Sequence, residues 1–111
     1  MAPIPNLGEL EQLILLAILR LSDDAYGATI RAELSHRAGR AIAPGALYTT
    51  LERLETKGLV TSHMGDPTPE RGGRAKRFVR VSSAGLQALK RARRAYERMV
   101  DGLDEVRGAH A

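Results

Sequence analysis

A single hairpin interrupts an otherwise helical chain of 111 residues. Leu59-Val60-Thr61-Ser62-His63-Met64 and Lys76-Arg77-Phe78-Val79-Arg80-Val81 read as two short strands, joined across residues 65–74 by a loop rich in Gly and Pro. Ahead of the hairpin, apolar residues recur at helical spacing three times. Leu10, Leu13, Ile14, Leu16, Ala17, Leu19 and Leu21 predict a first helix over 8–21, apolar around much of its circumference, which suits a helix packed on more than one side. Ser22-Asp23-Asp24 supplies a break and a capping signal, and a second helix follows over 25–38, with Ile30 and Leu34 inward and Gly39 as its stop. Pro44 suits the first turn of a third helix, which carries Leu47, Leu51 and Leu54 on one side and ends at Lys57-Gly58. After the hairpin, Ser82-Ser83 caps a long helix over 84–106. Its Leu86, Leu89, Ala92, Tyr96, Met99, Leu103 and Val106 step by three and four like a coiled-coil seam. Three compact helices, a basic hairpin and a closing helix give the expected fold: mainly α with a small β-hairpin, a winged helix-turn-helix over 1–81 and a dimerisation helix over 82–111, compact as one domain.

Composition narrows the class. Aromatic residues are scarce, with no Trp and one Phe, so Leu, Ile, Val and Ala must build the core. The chain has no cysteine, which excludes disulfides and thiolate zinc sites and fits a cytoplasmic protein. Its longest apolar run, residues 13–19, is too short to span a membrane, and the first residues lack the pattern of a signal peptide. The net charge of +4 is modest, but its placement is uneven. Arg71, Arg74, Lys76, Arg77, Arg80, Lys90, Arg91, Arg93 and Arg94 follow one another with no acidic residue among them. Such a segment suits a polyanion such as nucleic acid, although a solvated charged face would look the same.

In a helix-turn-helix the second helix of the pair enters the major groove. Here that is the third helix, and its candidate outer face is Gly45, Ala46, Tyr48, Thr49, Thr50 and Arg53. The small residues at its start let backbone approach phosphates, the hydroxyls reach phosphate or base edges, and Arg53 can pair with a phosphate or a guanine. The loop supplies the second candidate element: Arg71, Gly72, Gly73, Arg74 and Lys76 combine pliable backbone with cationic ends suited to a minor groove or to phosphates. It lacks the strand-loop-helix setting and the Gly-Lys-Ser/Thr signature of a nucleotide-phosphate loop.

Taken together, Leu7-Gly8-Glu9-Leu10-Glu11, Ala25-Tyr26-Gly27, the run from Pro44 through Leu54, Lys57-Gly58-Leu59-Val60, the wing from Pro69 through Phe78 and the Ser82-x-Ala84-Gly85 start of the last helix resemble the PadR family of transcriptional regulators. The resemblance spans roughly residues 7–96. It implies a homodimeric repressor of pseudo-palindromic operators, released in many members by a small-molecule effector. A single helix after the wing is similar to the short subgroup, in which that helix packs on the first helix of the other subunit. The expected interface is then Leu13, Leu16, Leu86, Leu89, Tyr96, Met99, Leu103 and Val106. Tyr96 is expected as an interface residue that could also stack on a flat effector. One departure is Phe78-Val79, where two aromatics are common.

Other residues point to no chemistry. Tyr26 reads as structural, with a phosphate contact as the alternative, and Tyr48 as half core, half DNA-facing. His36, His63 and His110 lack paired spacing, so neither a metal nor a cofactor is expected. No pattern of Ser, His and Asp suggests an enzyme. The competing function is a protein-interaction module that keeps the winged-helix fold; the cationic wing argues against it, and RNA binding is weaker still for want of an aromatic platform.

Overall fold

The structure, a computed structural model, describes residues 6–66 and 75–107. Helix α1 (Glu9–Leu21) begins where the Gly8 amide donates to Glu11 Oε1 at 2.9 Å, with acids in its first turn and Arg20 in its last, as the helix dipole favours. A short 3-10 turn (Ser22–Asp24) leads to α2 (Gly27–Ala38). There the Thr29 hydroxyl accepts the Tyr26 amide and lies 2.5 Å from the Asp24 carbonyl. Gly39, at φ +65°, closes α2, a conformation glycine adopts without penalty. Arg31 reaches from α2 to the Ile42 carbonyl (2.9 Å) and fixes the turn into α3 (Pro44–Thr56), which has Pro44 in its first turn.

Strands β1 (Val60–Met64) and β2 (Arg77–Val81) pair antiparallel from Val60 opposite Val81 to Met64 opposite Arg77. The inner edge of β2 is also tied to the helices, because the Val79 amide donates to the Ala25 carbonyl at 2.9 Å. At the hairpin base, Ser82 Oγ donates to the Gly58 carbonyl (2.7 Å) and accepts the Gly85 amide (3.0 Å). One hydroxyl thereby joins the end of α3 to the start of α4 (Ser83–Val100).

Ile14, Leu15, Ile18, Ile30, Leu34, Leu47, Leu54, Leu59, Val60, Val79 and Leu89 are among the buried residues of the core, which holds only aliphatic side chains. This is the core expected from the scarcity of aromatics. The charged Glu11 is also buried; it accepts from Lys57 Nζ at 2.9 Å and so ties the start of α1 to the end of α3. Burial pushes the Glu11 carboxyl up, but the Lys57 hydrogen bond, the Gly8 amide and the charges of Lys57 and Arg53 outweigh it and hold the carboxyl below its ordinary value.

The last helix differs from expectation. It does not continue to Val106: α4 ends at Val100, Asp101 turns extended, Gly102 takes φ +83°, and a short α5 (Asp104–Arg107) follows. A glycine in the left-handed region stops the helix and redirects the chain. Leu103 and Val106 therefore leave the stripe that runs along α4.

Candidate nucleic-acid interface

Burial divides α3 along its length. Leu47, Thr50 and Leu54 face the core, and at 3.6 residues per turn the opposite side is Gly45, Thr49, Glu52 and Thr56, all exposed. Ala46 and Arg53 flank that stripe on the side of α1, where the Arg53 charge is felt by Glu11. Tyr48, 58% exposed, flanks it on the side of the wing. Gly45, Ala46, Tyr48, Thr49 and Arg53 thus share one accessible surface. Thr50 does not: it is 6% exposed and its hydroxyl donates to the Ala46 carbonyl at 2.9 Å, so it is removed from the groove-facing set. Its place on the inner side of the helix follows from its spacing of three and four from Leu47 and Leu54. Thr56, in the last turn of α3, joins this exposed stripe, a place its spacing of seven from Thr49 already gives it.

The wing is held beside this surface by two groups of contacts. At the outer end of its strands, Tyr26 meets Phe78 edge to face (5.5 Å between centroids), His63 stacks on the same ring (5.7 Å), and Lys76 Nζ lies 4.7 Å from the Tyr26 centroid. Tyr26 is structural, then, in the sense that it packs the wing. Against α3, Arg77 Nη1 donates to Glu52 Oε1 (2.8 Å) and Nη2 to Glu55, while Ser62 Oγ donates to Glu55 Oε2 (3.1 Å). The hydrogen bond to Glu52, with the one to Glu55 and the two carboxylate charges, raises the Arg77 pKa against the opposing effect of burial. Arg77 and Arg80, the latter 3.4 Å from Asp23, are therefore compensated within the fold. Among the described residues no carboxylate oxygen comes within 4.0 Å of the cationic groups of Lys76, Lys90, Arg91 or Arg94. Arg71, Gly72, Gly73 and Arg74, expected at the wing tip, lie outside the described residues.

An apolar groove of about 410 Å³ runs between the start of α2, α3 and the outer end of β2, with Tyr26, Pro44, Leu47, Tyr48 and Leu51 along it and Arg31, Lys76 and Arg77 at its edges. A second, of about 560 Å³, lies between α1 and α2 over Leu13, Leu16, Ala17 and Leu34, rimmed by the Arg20–Glu33–Arg37 and Arg40–Glu9 ion pairs. Of the expected interface residues, Leu16, Leu86, Tyr96 and Met99 are exposed on α1 and α4, with Tyr96 at 55% and Met99 at 77%. Leu13 is half-buried and packs against the core. Leu89 is 4% exposed inside its own core, because the first two turns of α4 dock on the body, and it cannot serve an intersubunit seam. Leu103 and Val106 are exposed, but on the far side of the Gly102 break.

Three helices, a paired hairpin leaning on the third and a helix leaving its base define a winged helix-turn-helix. The description "Transcriptional regulator PadR-like family" is matched over residues 15–91, and the chain belongs to that family of transcriptional regulators. It is similar to a transcriptional regulator of Mycobacterium tuberculosis, Rv3488, with 42% identity over 77 residues, 69% of this chain and 67% of that protein. A PadR family transcription regulator from Clostridium difficile superposes with a TM-score of 0.73 at 23% identity, covering 91% of this chain and 100% of that one. Bacillus subtilis PadR, solved in complex with operator DNA, superposes at 0.64 with 20% identity, over 76% of this chain and 46% of that one. Among the described residues no cluster of three metal-binding side chains occurs, and no helix is long and apolar enough to cross a membrane.

Proposed function

We propose that the chain is a homodimeric repressor that reads a pseudo-palindromic operator in double-stranded DNA. The observation that carries this reading is the accessible face of α3, where Gly45, Ala46, Thr49 and Arg53 stand clear of the core beside a wing braced on the same helix. The small residues at the start of α3 let its N-terminal amides meet a phosphate, Thr49 and Arg53 reach base edges or phosphates, and Lys76 with the wing-tip residues Arg71, Gly72, Gly73 and Arg74 holds the backbone. The superposed Bacillus subtilis protein, bound to operator DNA, supports the same use of this fold.

In the dimer, Tyr96 and Met99 of α4 and Leu16 of α1 are covered by the second copy, and the two α3 helices sit one helical turn of DNA, about 34 Å, apart. A flat small-molecule effector would stack on Tyr96 at that interface; it shifts the population only by binding the DNA-incompetent spacing more tightly. Fluorescence anisotropy with DNA upstream of the protein's own gene, beside a scrambled duplex and across a salt series, tests the reading. Tight binding to the first that outlasts salt establishes sequence reading. Equal, salt-sensitive binding to both leaves only a basic surface, and no binding to either returns the fold to a protein-interaction role.

A further inference from the structure

Arg77 sits at the outer end of β2, opposite Met64, yet its guanidinium turns back onto α3. Glu52 and Glu55, one turn apart on α3, take one nitrogen each, and its Cζ lies 5.8 Å from the Tyr48 centroid. Glu55 also accepts from Ser62 on β1, so a single carboxylate holds both strands of the wing. The bridge is partly exposed, with 36% of the Arg77 side chain accessible, but a planar fork met by two carboxylates and a ring is a network, not an isolated surface pair. Two acids on the helix that approaches DNA work against binding a polyanion, unless they do something else there.

We infer that Glu52, Glu55 and Arg77 form a latch that sets the stance of the wing against the reading helix, with Arg77 a positioning residue and not a phosphate contact. The inference rests on the DNA-reading function proposed above. It makes a prediction opposite in sign to simple electrostatics: neutralising Glu55 should weaken operator binding, although it removes a negative charge beside DNA.

The test is a salt-series anisotropy titration of the full chain on its upstream DNA with Arg77→Gln, Glu55→Gln, the double variant and Lys76→Gln. Each single latch variant should lose about three- to tenfold in operator affinity with an unchanged slope of log K against log salt, and the double variant should lose no more than either single. Lys76→Gln, at a phosphate contact, should lower the slope by about 1. Hydrogen exchange of the DNA-free protein gives a second readout: Arg77→Gln should speed exchange of the β1–β2 amides about three- to tenfold while α1 and α2 keep their protection. Tighter binding by Glu55→Gln, a slope lowered by about 1 in Arg77→Gln, additive losses, or unchanged wing exchange would each overturn the latch. If wild type shows no preference for the upstream DNA while the wing exchange responds as described, the DNA-reading function fails and the brace stands.

Discussion

Gly85 shows how far a single side chain can constrain this fold. A Cβ built there would lie 2.1 Å from the Leu59 carbonyl oxygen and 2.9 Å from Val81 Cγ1, so α4 can cross the base of the hairpin only where no side chain stands between them. Gly85→Ala should cost about 1–3 kcal/mol in urea unfolding, the usual range for overpacking, despite the better helix propensity of alanine. A stability equal to wild type would mean that α4 docks elsewhere. The Glu11 carboxyl is held below its ordinary value in the fold, so its stabilisation is present at neutral pH and disappears as pH falls through the lowered folded value. Glu11→Gln should therefore lose about 1 kcal/mol at pH 7 and show a flatter decline of Tm toward acid, with the two proteins converging at low pH. A parallel decline in both would remove the Lys57–Glu11 pair as the cause. Neither residue could be weighed from sequence alone, since their partners lie 26 and 46 positions away.

Among the elements, the helices were legible where stop signals and apolar spacing agree, although Ser22-Asp23-Asp24 forms its own 3-10 turn and α2 is capped at Tyr26. Gly39, Pro44 and Gly58 each fall where the chain changes direction, and α2 and α3 end within a residue or two of the expected places. Spacing does set the phase of Thr50, three and four residues from Leu47 and Leu54. What it could not settle was docking and continuity: Leu89 belongs to the body because α4 docks before it projects, and the seven apolar residues expected along one last helix cross a glycine break. The wing was legible as a basic hairpin, but a count of charges treats Arg77 and Lys76 alike, and only tertiary structure separates the compensated guanidinium from the other cation. The proposed reading face of α3 can be tested at Arg53. Arg53→Ala should weaken binding to the operator by about 1–3 kcal/mol and flatten discrimination at one base pair if Arg53 meets a guanine. A uniform loss across all duplexes, with a salt slope smaller by about 1, would assign it to a phosphate instead.

The whole molecule is more extended than a compact chain of its size. Its radius of gyration is 16.0 Å and its longest dimension 55 Å, where a compact chain of about 100 residues has a radius near 13 Å. After Leu89 no residue of α4 is buried, so its last eleven residues, about 16 Å of helix, form an arm with little cover from the body. That arm carries Tyr96 and Met99 in the open, and α1 offers Leu16 and Leu19 beside its apolar groove with α2. A monomer would leave both surfaces wet, whereas the proposed twofold dimer would cover them with one set of contacts. At a twofold each substitution enters twice, so Tyr96→Asp with Met99→Asp places four carboxylates in the proposed seam. Light scattering on a sizing column should then give a monomer, and the concentration dependence of Tm expected of wild type should vanish. Operator affinity should fall toward that of a single reading head, while binding to a half-site duplex is kept because α3 and the wing are untouched. A variant that stays dimeric would move the interface off α4, and one that loses half-site binding as well would show that the arm supports the fold itself.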